Sequence, residues 1–281
     1  MKTGIVVVSY NHFPFTKYCI ESILAHTPKD LYKLCLADNG SIDGTKEWAN
    51  QLLDWEILDH FISNDSNLGA CKAANQGKVW SLEDDETDST IIMANDHVVT
   101  SGWLEPLREA PADHCNAFTF FSTPNMRRLD KEIGSYLDRY KVLRVRYLQE
   151  DDEDNMVKVL KDLYGNIHQF SLKFKERHIY KPYIEFKETD WTGLVYYNNY
   201  VIDKVGLKDE EFLKYDKASH ADIDYKIRIA KAGFTFVVAM QSYVHHWGSI
   251  TTRKTGLKND GLYKNEESKA GRYYQEKWKR R

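Results

Sequence analysis

A chain of 281 residues, 42% hydrophobic and 29% charged, is long enough to bury one large α/β core or a domain and a half. Its 39 basic and 42 acidic residues leave a formal charge of −3, which excludes a global electrostatic pull toward nucleic acid or anionic membrane and leaves only local patches to consider. No apolar run approaches the ~20 residues that cross a bilayer. The start, Met1-Lys2-Thr3 running directly into Gly4-Ile5-Val6, lacks the pattern of a secretory signal. The four cysteines, Cys19, Cys35, Cys71 and Cys115, show no Cys-x-x-Cys spacing. The expectation is a cytoplasmic protein with reduced, mostly buried thiols.

The first hundred residues alternate between short apolar runs and helix-period segments. Gly4 to Ser9 reads as a strand and Phe15 to Ala25 as a helix with Pro14 at its start. Leu31 to Ala37 is a second strand, Gly44 to Leu53 a second helix, Glu56 to Ile62 a third strand and Ala70 to Trp80 a third helix. Ile91 to Ala94, bounded by the acidic segment Glu83 to Asp88, reads as a fourth and fully buried strand. The alternation predicts a parallel sheet with helices on its faces and right-handed crossovers. Polar clusters follow each strand: Ser9-Tyr10-Asn11, then Asp38 to Thr45, then Asn64 to Gly69, then Asn95-Asp96-His97. Loops at the carboxyl edge of a parallel sheet lie side by side, so these clusters should converge. Neither a Gly-x-Gly-x-x-Gly nor a Gly-x-x-x-x-Gly-Lys-Ser/Thr is present, so phosphates call for another holder, and a divalent cation on Asp96 is the candidate. The plainer alternative is that Asn95 and Asp96 turn the chain and cap a helix near Trp103.

Beyond this point Trp103 to Glu109 reads as a helix and Ala117 to Thr123 as a strand. The segment Arg127 to Tyr147 carries seven basic residues against three acidic ones and is followed by the acidic run Glu150 to Asp154. It reads either as a solvated helical face or as an acceptor-binding insertion. Ser219 to Gly233 is a helix with Gly233 as its terminator, and Thr235 to Ala239 is a strand, after which Tyr243 to Ser249 closes the core. Ser219-x-x-Asp222 has the form of a capping box, and the helix dipole would keep Asp222 ionised. From Arg253 to Arg281 there are ten basic and four acidic residues interleaved with Tyr263, Tyr273, Tyr274 and Trp278. That tail reads as a nucleic-acid contact or as a structural cap.

Val8-Ser9-Tyr10-Asn11, Asp38-Asn39-Gly40-Ser41-Ile42-Asp43-Gly44-Thr45, Asn67-Leu68-Gly69 with Asn75-Gln76-Gly77, and Ala94-Asn95-Asp96-His97 resemble, in order and spacing, the successive motifs of GT-A fold, family 2 glycosyltransferases. Thr189 to Gly193, Ala221 to Asp224, His245-His246-Trp247-Gly248 and the ending Arg272 to Trp278 resemble the family's second half, with Met126 to Glu188 the weakest part. The resemblance implies an α/β, GT-A (Rossmann-like) fold: a mostly parallel central sheet flanked by helices, a single domain with an insertion and a C-terminal helical extension. Residues 1–125 would bind the nucleotide-sugar donor. The insertion 126–188 is a candidate for the acceptor, 189–251 would form the acceptor and catalytic half, and 252–281 a basic, aromatic tail.

The implied reaction is metal-dependent, inverting transfer of a sugar from a nucleoside diphosphate, most often UDP, to a hydroxyl of a saccharide or glycoconjugate. By the same resemblance Ser9, Tyr10 and Asn11 line the nucleoside pocket, with Tyr10 near the base. Asp38 or Asp43 accepts from base or ribose, although Asp43 serves equally well as a helix cap. Asn67 and Gly69 close over the base with support from Asn75. Asn95 belongs to the donor site and replaces the first Asp of the family's Asp-x-Asp. Asp96 and His246 would hold Mn²⁺ or Mg²⁺, the imidazole tilting the choice toward Mn²⁺, with His245 as the alternative to His246. His97, on an extended chain, should point away from Asp96.

Asp222 is the expected general base, with Ala221 standing where the family often has Glu. Trp191 and Gly193 would form the floor under the transferred sugar, and Asp224 would have a structural or acceptor-orienting role. Arg253 and Lys254 are candidates to reach the diphosphate. The competing readings are a glycosyltransferase acting on modified DNA, a nucleotidyltransferase, for which the basic Gly-rich phosphate loop is missing, and a nucleic-acid or nucleotide-binding protein without transferase activity.

Overall fold

The run Ile5-Val6-Val7-Val8 is β-branched throughout, and it becomes an internal strand of the sheet because such residues pack well on a pleat covered on both faces. In the computed structural model, which describes residues 1–110, 116–120, 130–148, 151–186, 194–214, 220–248 and 269–279, this strand is β1 (Lys2–Ser9). It pairs in parallel with β2 (Tyr32–Asp38) on one side and with β4 (Thr87–Ala94) on the other, and β3 (His60–Ser63) extends the parallel set beyond β2. Helices α1 (Phe13–His26), α2 (Thr45–Asp54) and α3 (Ala70–Glu83) make the crossovers. Gly77 brings α3 close to the sheet, since a Cβ there would lie 2.2 Å from Val6 Cγ1.

The sheet changes character past β4. Strand β8 (Leu194–Asn198) runs antiparallel to β4, and β6 (Asn116–Phe120) runs antiparallel to β8 and parallel to β9 (Phe236–His246). The long β9 takes two further antiparallel partners, β7 (Tyr183–Phe186) along its first part and β5 (His97–Val99) at its end. The order is β3-β2-β1-β4-β8-β6-β9-β5, with β7 also on β9. The half built from β1 to β4 is thus all parallel and the remainder is mixed.

Several expected elements differ in extent. Strand β3 is shorter than Glu56 to Ile62 because α2 ends in a left-handed residue, Glu56 at φ 56, and the amides of Ile57 and Leu58 both donate to Leu52 O. The helix expected from Trp103 to Glu109 is one turn, α4 (Glu105–Arg108). The strand expected to stop at Ala239 continues to His246. Between β6 and β7, where the sequence shows little regularity, the chain forms α5 (Lys131–Tyr147), α6 (Glu153–Tyr164) and α7 (Ile167–Arg177). These pack Ile133, Leu137, Tyr140, Met156, Leu160, Phe170 and Phe174 into one cluster with Tyr243 and Trp247.

Helix α8 (Asn199–Val205) and α9 (His220–Lys231) follow, and α10 (Lys269–Lys279) closes against α9. Among the described residues no helix is long and apolar enough to cross a membrane. Trp191, Gly193, Ser219, Arg253 and Lys254 lie outside the described residues.

Candidate active site

The loops after β1 and β2 are built around two carboxylates. Asp38, fully buried, accepts from the Ser9 hydroxyl at 3.0 Å, from the Ser41 amide at 3.0 Å and from the Ser41 hydroxyl. Asn11, at φ 54, donates its amide to Ser41 Oγ at 2.7 Å and accepts from the Ile42 amide at 3.0 Å. Asp43 accepts from the Phe13 amide at 2.8 Å and the Thr45 hydroxyl at 2.7 Å, so it ties the starts of α1 and α2 together while remaining exposed. Tyr10 is half-buried.

A net of amides shapes the third loop. Asn39 donates to Asn67 Oδ1 at 2.9 Å and accepts from Asn64 and from the Leu68 amide, and Gly69 donates to Asn67 Oδ1 at 2.9 Å. The support expected from Asn75 comes instead from Asn39, Asn64 and Gln76. Asn75 turns the other way, exchanging hydrogen bonds with the backbone of Lys208 at 2.9 and 3.0 Å and donating to Glu210 Oε1 at 3.0 Å.

At the end of β4 the chain bends at Asn95 and Asp96 before β5 begins. Asn95 donates to Thr16 Oγ1 at 2.8 Å and to Asn11 O at 3.2 Å, pinning this bend to the first loop. Counted back from Asp96, the first position of an Asp-x-Asp is Ala94, so the departure from that motif is an alanine and Asn95 is its middle residue. Asp96 is buried, with Oδ1 3.2 Å from His246 Nε2.

His97 does not point away from Asp96, because the alternation of an extended strand does not carry across a bend. It sits directly opposite His246 in the β5–β9 ladder, its ring stacked on that of His246 at 4.3 Å and 4° and its Nδ1 3.6 Å from Asp96 Oδ1. The His97 Nδ1–H donates to Ala94 O at 2.9 Å, which assigns the tautomer and leaves Nε2 as the basic nitrogen. Burial first, and then the neighbouring His246, push His97 down to about 3 against the opposing pull of Asp96. One ligand atom from each of Asp96, His97 and His246 falls within a span of 4.8 Å.

Two imidazoles and a carboxylate fit a transition ion such as Mn²⁺ better than Mg²⁺, which prefers oxygen. His245, the alternative to His246, faces the other side of β9. There it contacts the Tyr164 hydroxyl at 2.9 Å within a buried aromatic group that includes Tyr140, Tyr243 and Trp247.

Asp222 lies in the first turn of α9, its Oδ1 2.5 Å from Lys208 Nζ. Burial pulls the Lys208 amine down, but the charge and hydrogen bond of Asp222, together with Cys71 and Tyr225, outweigh it and leave Lys208 raised. Asp224 is fully buried and pairs with Arg228 at 3.0 Å and with Lys277 of α10 at 2.8 Å. Lys277 and Tyr273 also reach Asp209, so this part of the basic tail is a cap on α9.

Lys78 escaped the sequence reading. It is completely buried, its Nζ makes no hydrogen bond among the described residues, and it lies 3.7 Å from the Tyr225 ring centroid and 4.5 Å from that of Tyr197. Burial, and after it the charge of Lys208, hold its amine well below the ordinary lysine range. The signal was present, because Lys78 falls on the helical stripe of Cys71, Ala74 and Ser81, all buried.

Residues 4–159 match the sequence model described as Glycosyl transferase family 2. No curated protein sequence matches the chain. Among solved structures, the chain is similar to GalNAc-T7, determined with UDP, GalNAc and Mn²⁺, at 12% identity and a TM-score of 0.59, covering 88% of this chain and 44% of that one. It is similar to the mannosyltransferase PcManGT from Pyrobaculum calidifontis, determined with GDP-Man and Mn²⁺, at 14% identity and 0.54, covering 87% and 56%. It is also similar to S. aureus TarS, at 13% identity and 0.53, covering 89% and 37%. The chain therefore spans between 37% and 56% of these three lengths, and at such identities the likeness is one of fold.

Proposed function

The chain belongs to glycosyl transferase family 2, and from that premise we propose that it is a metal-dependent, inverting glycosyltransferase moving a sugar from a nucleoside diphosphate, UDP, to a hydroxyl of a saccharide or glycoconjugate. The observation that carries this reading is the buried Asp96–His97–His246 group at the end of β4, beside loops tied together through Asp38, Asp43 and Asn95.

Breaking the donor's glycosidic bond leaves charge on the β-phosphate. Asp96 and His246, with His97 in the same group, would hold a divalent ion, and such an ion would stabilise that charge electrostatically by several kcal/mol as an order of magnitude. Asp38 and Asp43 hold the first two loops in shape for the nucleoside, Tyr10 stacks near its base, and Asn67 with Gly69 covers it. Trp191 and Gly193 are assigned to the floor beneath the transferred sugar. Asp222 accepts the proton of the attacking hydroxyl on a carboxylate oxygen, from the face opposite the leaving group. Lys208, with Nζ 2.5 Å from Asp222 Oδ1, orients that carboxylate until the acceptor arrives.

The test is a donor screen with UDP, GDP and dTDP and their sugars, with and without Mn²⁺, read by thermal shift, then by nucleotide release and the anomeric configuration of the product. An α-linked donor should give a β-linked product. Stabilisation by none of the nucleotides would overturn the reading.

A further inference from the structure

Helix α5 has two unlike faces. Ile133, Leu137, Tyr140 and Leu143 are buried in the core, whereas Val142 and Val145, one turn apart and so on a common stripe, are 67% and 66% exposed. Cations frame them: Arg139, Lys141 and Arg146 are exposed and Arg144 is half-buried. Asp138, the acidic residue among the helix's described side chains, lies 3.4 Å from Lys141 and is thereby offset locally. On the adjoining α6, Val157 is 49% exposed and Lys158 lies 4.6 Å over the Tyr147 ring. There Lys158 and Lys161 are balanced by Asp154 and Asp162, so the positive excess belongs to α5.

A single exposed valine is ordinary. Two on one helical stripe, set among arginines and a lysine, form the combination that an interfacial helix presents to a bilayer. Nucleic acid would engage the cations and leave both valines in water, so the valines discriminate between two anionic partners. We infer that the outer face of α5, with Val142 and Val145 at its centre and Arg139, Lys141 and Arg146 around them, docks the protein on an anionic lipid surface. The cations meet headgroup phosphates and the valines enter the boundary of the acyl region. Contact by so few residues is reversible and weakens with salt. It does not depend on which reaction the protein performs.

The experiment is co-sedimentation of the full chain with vesicles of phosphatidylcholine alone and of equal parts phosphatidylcholine and phosphatidylglycerol. Binding is expected to the mixed vesicles only and to be released by salt. Val142→Asp/Val145→Asp should weaken it about tenfold or more, and Arg139→Gln/Arg146→Gln about 30-fold. Neither double variant should change the melting temperature, since all four side chains are exposed. Absence of binding to the mixed vesicles, or binding indifferent to the valine substitutions, would overturn the inference. So would a preference for duplex oligonucleotide that the arginine variant abolishes and the valine variant leaves intact.

Discussion

Around β1, β2 and β3 the polar groups at the strand ends meet partners close in sequence: Ser9 and Asp38 are 29 positions apart, Asn11 and Ser41 30, Asn39 and Asn67 28. Around β9 the separations are far larger, 81 for Tyr164 and His245 and 107 for Tyr140 and Trp247, and the His97–His246 pair joins strands 149 positions apart. The first region is a set of loops that shape themselves. The second is a meeting place assembled by the sheet. A lesion in the first should therefore register as lost stability and lost nucleotide affinity together, and one in the second as lost chemistry with the fold retained.

The largest expected effect falls outside both regions, on the chemistry that the second one serves. Asp222→Asn should lower turnover by roughly 10²–10⁴ while nucleotide binding and the melting temperature stay near wild type, as single-turnover assays and calorimetry would reveal. Equal loss of stability would make Asp222 a helix cap and erase the contrast. Next is Asp38→Ala in the first region. Removing the acceptor of three hydrogen bonds from Ser9 and Ser41 should destabilise the fold by about 2–4 kcal/mol and weaken nucleotide binding in the same variant, measurable by urea unfolding and titration.

A smaller effect of opposite sign is expected at Lys78. Replacing a buried amine that has no hydrogen-bond partner among the described residues by the similarly long Met should stabilise by about 1–3 kcal/mol. A loss of stability in urea would show that the amine is satisfied in the working protein.

The smallest effect concerns the contact between α1 and α7, where the His26 and His168 rings meet at a tilt, their centroids 3.9 Å apart, and burial lowers both from 6.5, with His26 further lowering His168. The unfolded chain then takes up protons that the folded one refuses. Stability should be complete above the unfolded value and decline as pH falls below it. Urea midpoints between about pH 7 and about pH 5 should fall less in His168→Gln than in wild type.

The same contrast explains what the sequence disclosed. The alternation of strands and helices before Ala94 is written in β-branched runs and turn residues that act locally, and Ser9, Asp38, Asp43 and Asn95 could be placed at one sheet edge from topology alone. His97 could not, because its inward turn depends on a two-residue bend and on a strand partner near the other end of the chain. His246 was reached through motif resemblance, not through periodicity. Helices α5 to α7 were hidden by their charge, although Ile133, Leu137 and Tyr140 already stand at helical spacing. Asn75 was assigned to the wrong loop because a buried amide on α3 can face either way until the segment around Lys208 is in place. The end of β9 was missed since Gln241 and Ser242 look like a stop, yet Ser242 is buried and bonds Trp103 O at 2.6 Å.

The central claim is that Asp96, with His246 beside it, makes nucleotide binding depend on a divalent ion. Isothermal titration of UDP into the protein with Mn²⁺ and again with EDTA, for wild type and Asp96→Ala, tests it most directly. The account predicts tight binding only for wild type with Mn²⁺, and EDTA-treated wild type indistinguishable from the variant. UDP affinity that is unchanged by EDTA or by Asp96→Ala would contradict it.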